Sequence, residues 1–250
     1  MKAIGMLGGM GPESTSYTYM RMIRYCQERY GARLDSDFPP IIMYSMPVPD
    51  VVEEGSDDAE VLALLEEGIG RLDRAGASFS FIACNTMQGF VPALRKRFPM
   101  LSLVEETVAA ARESGLKRWG ILGTEVTLRK GYYQAALKGA GFEPLVPERS
   151  EQKEVTRAIR EILAGDDMDS PRSRLLSVVR VLEGRGAEGV ILACTDLPIP
   201  LSGCVAGLPL LDTADISARA AVERWRDGTK PGKRYAPIPE GAEAGRGGCV

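Results

Sequence analysis

Cys84 and Cys194 are the residues of this chain best placed to do chemistry. Each closes an apolar run, "SFSFIACNT" over residues 78–86 and "VILACTDLP" over residues 190–198. Each is followed by small hydrogen-bonding side chains, Asn85 and Thr86 in one case and Thr195 and Asp196 in the other. A thiolate is both a nucleophile and a base, and its pKa falls beside helix N-termini and hydrogen-bond donors. A single buried cysteine is usually inert packing. Two at matching places, each just ahead of an expected helix start, read better as a pair. Cys26, Cys204 and Cys249 have no such setting.

The chain contains no histidine. That removes Ser-His-Asp and Cys-His catalysis, HExxH zinc sites and histidine general bases together. Acid–base chemistry must then come from Cys, Asp, Glu, Lys or Tyr. The net charge of −3 argues against nucleic acid or an anionic membrane as the main partner. Five irregularly spaced cysteines, without CxxC or another metal-ligand spacing, suit neither a disulfide framework nor a metal centre. Met1-Lys2 leads directly into an apolar strand, and no run approaches the length of a membrane span. The expectation is a cytoplasmic protein with reduced thiols.

The elements that must position the cysteines follow from the hydrophobic pattern. "KAIGMLGG" (2–9) reads as a buried strand closed by glycines, and residues 11–31 as a helix with Pro12 in its first turn and Gly31 at its end. "PPIIMYSMPV" (39–48) is a second strand. Residues 57–75 are amphipathic at helical spacing, opened by acids and closed by basic residues. "SFSFIACNT" is a third strand, and "FVPALRKRF" (90–98) a short helix. This is the βαβ rhythm of a mostly parallel sheet covered by helices.

The rhythm then restarts. Residues Lys117 to Thr124 align with Lys2 to Gly9, and Gly186 to Cys194 align with Gly76 to Cys84, in the same order and at nearly equal offsets. The pattern implies a duplicated α/β lobe. The expected fold is α/β with two pseudo-symmetric lobes, each a mostly parallel four-stranded sheet flanked by helices. The N-terminal lobe would span residues 1–100 plus about 211–228, and the C-terminal lobe 101–210. The Gly-, Pro- and charge-rich residues 229–250 would form an extended tail. Each cysteine then stands at the carboxyl end of its strand, where open α/β sheets bind ligands. Pseudo-symmetry would set the two thiols facing each other across the cleft between lobes.

"LGGMGPEST" (7–15) follows a strand and opens a helix. Gly9 and Gly11 fit the start of a G-x-G-x-x-G fingerprint, but Ser14 holds its third position and no lysine follows for a P-loop. A tight turn into a helix accounts for the glycines. A small anion site made of backbone N–H groups, suited to a carboxylate, fits the stretch better than a nucleotide.

A symmetric acid–base pair is what stereoinversion at carbon requires. One thiolate removes the proton from a carbon next to a carboxylate, and the opposite thiol protonates the other face. The intermediate is an enolate-like dianion, so the site must aim donors at the carboxylate. The amides of Gly9, Met10 and Gly11, with Asn85, Thr86, Thr124, Thr127 and Thr195, are the donors available.

These residues resemble the cofactor-independent, two-cysteine aspartate/glutamate racemase superfamily. The resemblance runs from Met1 to roughly Trp225 and rests on "GMLGGMGPEST", "ACNT" at Cys84 and "ACTDLP" at Cys194. "ILGTEVTLRKGYY" (121–133) is similar to the segment that opens the family's second lobe. The resemblance implies a two-lobe α/β fold, no pyridoxal phosphate, no metal, and commonly a homodimer. It also implies Cys84 and Cys194 as the paired acid and base acting on an amino acid or related carboxylate.

Four positions depart from the aspartate-type pattern and bear on specificity. Met87 and Gln88 stand where Ala-His usually follows "CNT", and Val51 stands where an arginine usually follows "PD". Leu163 occupies the region where a lysine is often found; Arg129 and Lys130 are the candidate substitutes, although solvation of a helix surface is the role expected of them. Losing a bidentate guanidinium–carboxylate contact weakens the grip on an acidic side chain. The leading expectation is therefore an amino-acid racemase of the aspartate/glutamate type, with aspartate or glutamate as the default substrate and a less acidic or modified amino acid as the other candidate. A relative with other thiol chemistry (maleate-type isomerisation or decarboxylation) and a catalytically silent binding protein are the alternatives.

Overall fold

The structure, a computed structural model, describes residues 3–48, 57–202 and 206–228. Val51, Cys204 and Cys249, and the tail expected over 229–250, lie outside the described residues.

The first lobe opens with β1 (Ala3–Gly8), buried along its whole length. Helix α1 (Pro12–Tyr30) starts on Pro12, whose fixed φ suits a first turn, and stops at Gly31 with φ +66°. Its residues Thr18, Met22 and Cys26 recur once per turn on the buried face. Strand β2 (Ile41–Ser45), helix α2 (Asp58–Arg74) and strand β3 (Ala77–Ile82) follow. Asp57 caps α2 by accepting from the Ala59 N–H at 2.8 Å. The sheet is parallel, in the order β2-β1-β3. Beyond it come α3 (Val91–Leu94) and α4 (Leu103–Glu113), the latter capped by Ser102.

The second lobe repeats the plan with additions. It runs through β4 (Arg118–Gly123), α5 (Glu125–Lys130), α6 (Tyr132–Gly139), β5 (Glu143–Leu145), α7 (Arg149–Ala164) and α8 (Asp169–Gly184). It closes with β6 (Gly189–Ala193), α9 (Pro198–Leu201), β7 (Leu210–Asp212) and α10 (Thr213–Asp227). The parallel order β5-β4-β6-β7 contains the first lobe's β2-β1-β3 arrangement. Gly76 and Gly186, which enter β3 and β6, share positive φ values of +98° and +93°. The aligned sequence segments thus occupy equivalent places.

The expected fourth strand is complete only in the second lobe. In the first, residues 99–101 make a single parallel bridge to Ser80. The Ser80 N–H donates to the Pro99 carbonyl at 2.9 Å, and Leu101 N–H returns to Ser80 at 2.9 Å. Proline cannot donate, so the ladder has no rung before this one. Ser102 then diverts the chain into α4. Pro209 accepts from Val190 at 2.9 Å in the same way, but Leu210–Asp212 extend the ladder before Asp212 caps α10.

The helices that follow these two edges cross over. Val108 and Ala111 of α4 pack with Trp119, Ile121 and Tyr133 in the second lobe. Ala218, Ala221 and Val222 of α10 pack with Ile4, Met6 and Phe81 in the first. Burying these apolar side chains stabilises the fold by about 25 cal/mol for each Å² removed from water. Each lobe therefore completes its core with a helix that follows the other lobe's sheet. Among the described residues, no helix is long and apolar enough to cross a membrane.

Candidate active site

Cys84 and Cys194 stand at equivalent strand ends. Cys84 lies two residues past β3, where Ala83 N–H donates to Leu7 O at 2.8 Å, and Cys194 directly follows β6. After each, the backbone coils at once. Residues Thr86–Phe90 form a 3-10 turn leading into α3, and Leu197 N–H returns to Cys194 O at 3.2 Å ahead of α9. These coils turn N–H groups back toward the sulfurs. Both thiols are buried and line one cavity of about 210 Å³ between the lobes. That volume lies below the range of drug-sized pockets and suits a free amino acid. A more open groove of about 600 Å³ along α7 and α8 has no thiol in its walls.

Burial dominates the electrostatics of both sulfurs. It pushes the Cys84 thiol up to about 11, against the amides of Met87 and Thr86 and the Thr86 hydroxyl, which favour the thiolate. Burial raises Cys194 as well, and the Asp196 carboxylate adds to that rise. Cys194 Sγ donates to Asp196 Oδ2 at 3.6 Å. Asp196 is itself raised by burial. Both thiols receive backbone N–H groups and feel the Asp196 charge; they differ in the side chain bonded to them, the Thr86 hydroxyl at Cys84 and the Asp196 carboxylate at Cys194.

Ten of the fourteen positions singled out in the sequence line this cavity. They are the two cysteines, the Gly9–Gly11 turn, Asn85, Thr86, Thr124, Thr195 and Leu163. Thr127 stands behind them and holds Thr124 and Thr86, with Oγ1 separations of 2.8 and 3.1 Å, while Thr86 and Thr124 meet across the lobes at 3.0 Å. Thr195 Oγ1 donates to Ser14 Oγ at 3.2 Å, another contact between lobes. The anion-site reading of the glycine turn is narrowed, because the Gly9 N–H already donates to Thr15 Oγ1 at 2.8 Å. Gly9 has φ +91°, and a Cβ there would sit 2.5 Å from the Met46 backbone nitrogen, so the turn needs glycine.

Two specificity candidates fall elsewhere, and a third is not among the described residues. Met87 is buried in the first-lobe core with Leu7 and Met46. Gln88 donates to the Ile82 and Cys84 carbonyls at 3.2 and 3.1 Å and accepts from Leu103 N–H at 2.9 Å, so it braces backbone. Val51 lies outside the described residues. Lys130 pairs with Asp58 and covers the Phe90 ring, away from the cavity, and Arg129 is exposed and absent from its lining.

Further positions in and around the cavity were not among the site candidates. Val48 and Ile159 line the cavity beside Leu163, and so does Asp196. Tyr132 Oη donates to the carbonyls of Asn85 and Thr86 at 2.7 and 3.0 Å, and Tyr133 Oη donates to Asn85 Oδ1. Asn85 Nδ2 in turn donates to Thr213 Oγ1 at 2.9 Å. The tyrosines stand in the quoted "GYY", which signals them, whereas nothing local in the sequence signals Thr213.

A family model described as Asp/Glu/Hydantoin racemase matches residues 7–221. The broad specificity amino-acid racemase RacX of Bacillus subtilis is 31% identical over 224 residues, which cover 89% of this chain and 97% of that protein. The crystal structure of an aspartate racemase homologue from Pyrococcus horikoshii superposes with a TM-score of 0.76 at 29% identity, covering 90% of this chain and 100% of that one. An aspartate racemase from Picrophilus torridus shares the fold at 23% identity, with a TM-score of 0.76 over 90% of this chain and 95% of that one.

Proposed function

This chain belongs to the Asp/Glu/hydantoin racemase family, and on that premise we propose that it is a pyridoxal-phosphate-independent amino-acid racemase working through Cys84 and Cys194. One sulfur, as thiolate, takes the proton from Cα. The other, as thiol, delivers its proton to the opposite face, so the product carries inverted Cα and the two sulfurs have exchanged protonation states. The observation that carries this reading is the presence of both thiols in one small cavity, each at the end of an equivalent strand.

The intermediate places a second negative charge on the substrate carboxyl group. Asn85 is held by Tyr133 and Thr213, which leaves its second Nδ2 hydrogen for that carboxylate. The Thr86 and Thr124 hydroxyls line the same cavity and can rotate toward it. Of these donors Asn85 is held in advance, and a donor already in place stabilises developing charge with little reorganisation.

The reading includes a cytoplasmic homodimer in which residues 1–100 and about 211–228 form one lobe and 101–210 the other. The crossed packing of α10 onto β1 and β3 supports that division, although Leu211 and Asp212 pair with β6. Deuterium incorporation at Cα, with formation of the antipode from single enantiomers in D2O, tests the activity. No exchange with any amino acid would sink it. Sedimentation tests the dimer.

A further inference from the structure

Among the described residues, the cavity lining holds a single carboxylate, Asp196, and no lysine or arginine. The neighbouring stretch of sequence cannot supply a cation either, because residues 34–70 contain no Lys or Arg. The cavity's apolar lining includes Val48 of the first lobe and, one turn apart on α7, Ile159 and Leu163. A Cβ on Gly11 would lie 2.9 Å from Leu163 Cδ2 and 3.5 Å from Asp196 Oδ1, so carboxylate and leucine face the same turn.

Asp196 is also incompletely satisfied. Its Oδ2 accepts from Cys194, while Oδ1 is buried and receives no hydrogen bond from the described residues. Ser14 stands close enough to favour the charged form, yet its hydroxyl donates to Gly11 O at 3.1 Å. A buried acceptor without a partner is costly, and such groups in native folds usually await a ligand or water.

We propose that the site takes amino acids with uncharged, apolar side chains, Asp196 binding the substrate's α-ammonium and Val48, Ile159 and Leu163 receiving its side chain. The proposal rests on the racemase reading above. The position of Asp196 selects the α-ammonium. The carboxyl group is a neighbour of Cys194 Sγ, at 3.6 Å, and that sulfur must address Cα. A cation bonded to Cα lies within reach of Oδ1. One at the end of a lysine or ornithine side chain would be several bonds further away. An aspartate or glutamate side chain would instead place a second carboxylate against hydrocarbon, with no cation in the lining to meet it. The ammonium also offsets the Asp196 charge that disfavours both thiolates.

The test is a panel of single enantiomers in D2O with the full chain, comparing leucine, methionine and valine with aspartate, glutamate, lysine and ornithine. Higher kcat/KM for the apolar set supports the proposal. Preference for the acidic or basic set overturns it while leaving the racemase reading in place, and absence of exchange with all of them defeats both. Two variants sharpen the result. Asp196→Asn should raise KM for leucine about tenfold or more with a smaller change in kcat, and an unchanged KM would refute the ammonium assignment. Leu163 is 46% exposed, so Leu163→Lys tolerates solvent and should fold. It should move the glutamate-to-leucine ratio about tenfold toward glutamate. An unmoved ratio would exclude position 163 from the side-chain wall.

Discussion

Asn85 and Thr213 are hydrogen-bonded at 2.9 Å, and Thr213 Oγ1 passes its own hydrogen to Leu192 O at 2.7 Å. Asn85 adjoins Cys84, and Leu192 lies in the strand that delivers Cys194. Two hydrogen bonds therefore connect the loop of one thiol to the strand of the other. Their spacing across the cavity does not depend on the packing of each lobe alone.

Thr213→Val keeps the shape of the residue and removes both bonds. We expect kcat/KM to fall about tenfold through misplacement of the reacting groups, with a stability loss of about 1–3 kcal/mol for the buried groups left unpaired. Steady-state kinetics alongside urea unfolding separates the two effects. Unchanged kinetics would show that this relay does not set the geometry.

Cys84→Ser and Cys194→Ser should each lower turnover by about 10²–10⁴-fold, the usual worth of a positioned acid or base. Both variants should keep the wild-type circular dichroism. Full activity in either would displace the thiol pair from the mechanism.

The alkaline position of the sulfurs sets a pH dependence. In the proposed mechanism a thiolate is the base, and burial pushes Cys84 up to about 11, so kcat/KM should rise with pH through the neutral range, until the substrate's own ammonium loses its proton. Asp196 raises both thiols by its charge. In Asp196→Asn the rise should therefore move to lower pH. A profile that is flat from neutral pH upward would contradict the burial argument.

Gln88→Ala should destabilise the protein by about 2–4 kcal/mol, because the Leu103 amide and the Ile82 and Cys84 carbonyls lose a buried partner. KM should change little, since Gln88 does not line the cavity. A large KM effect at unaltered stability would restore it as a specificity residue.

Glu106 is buried on α4 and raised by burial from 4.5 to about 7. The folded state then binds a proton that the unfolded chain has released, so its contribution to stability falls as pH rises from about 4.5 through about 7. Relative to Glu106→Gln, the wild type should lose stability across that window, by on the order of 1–3 kcal/mol. Urea midpoints of the two proteins against pH provide the comparison.

The parts legible in the sequence share a physical cause. Strands β1, β3, β4 and β6 are buried, so their apolar runs stand out, and the glycines around them need positive φ or close packing whatever the ligand. Both cysteines were legible because the duplication repeats them, and Asn85 and Thr195 because each directly follows one. Leu163 was legible as an apolar side chain in the region where the resembled family often has a cation. Met87 and Gln88 were misplaced because adjacency to a cysteine says nothing about which way a 3-10 turn points its side chains. Thr213 was invisible because its partner, Asn85, is 128 positions away, and the quoted "GYY" marked Tyr133 without saying that it holds Asn85. Only the crossed topology brings them together.

That crossing of α4 and α10 also bears on how such a chain could arise and assemble. A lobe alone would expose the apolar stripe that the borrowed helix covers, at Ile4, Met6 and Phe81 in one case and Trp119 and Ile121 in the other. Two copies of a single ancestral lobe would cover each other's stripes by exchanging terminal helices, which is the arrangement of a domain-swapped dimer. Here that exchange is closed within one polypeptide. Cutting the chain between the lobes would therefore not release two independent folding units, and the thiol cavity forms only when the swap is complete.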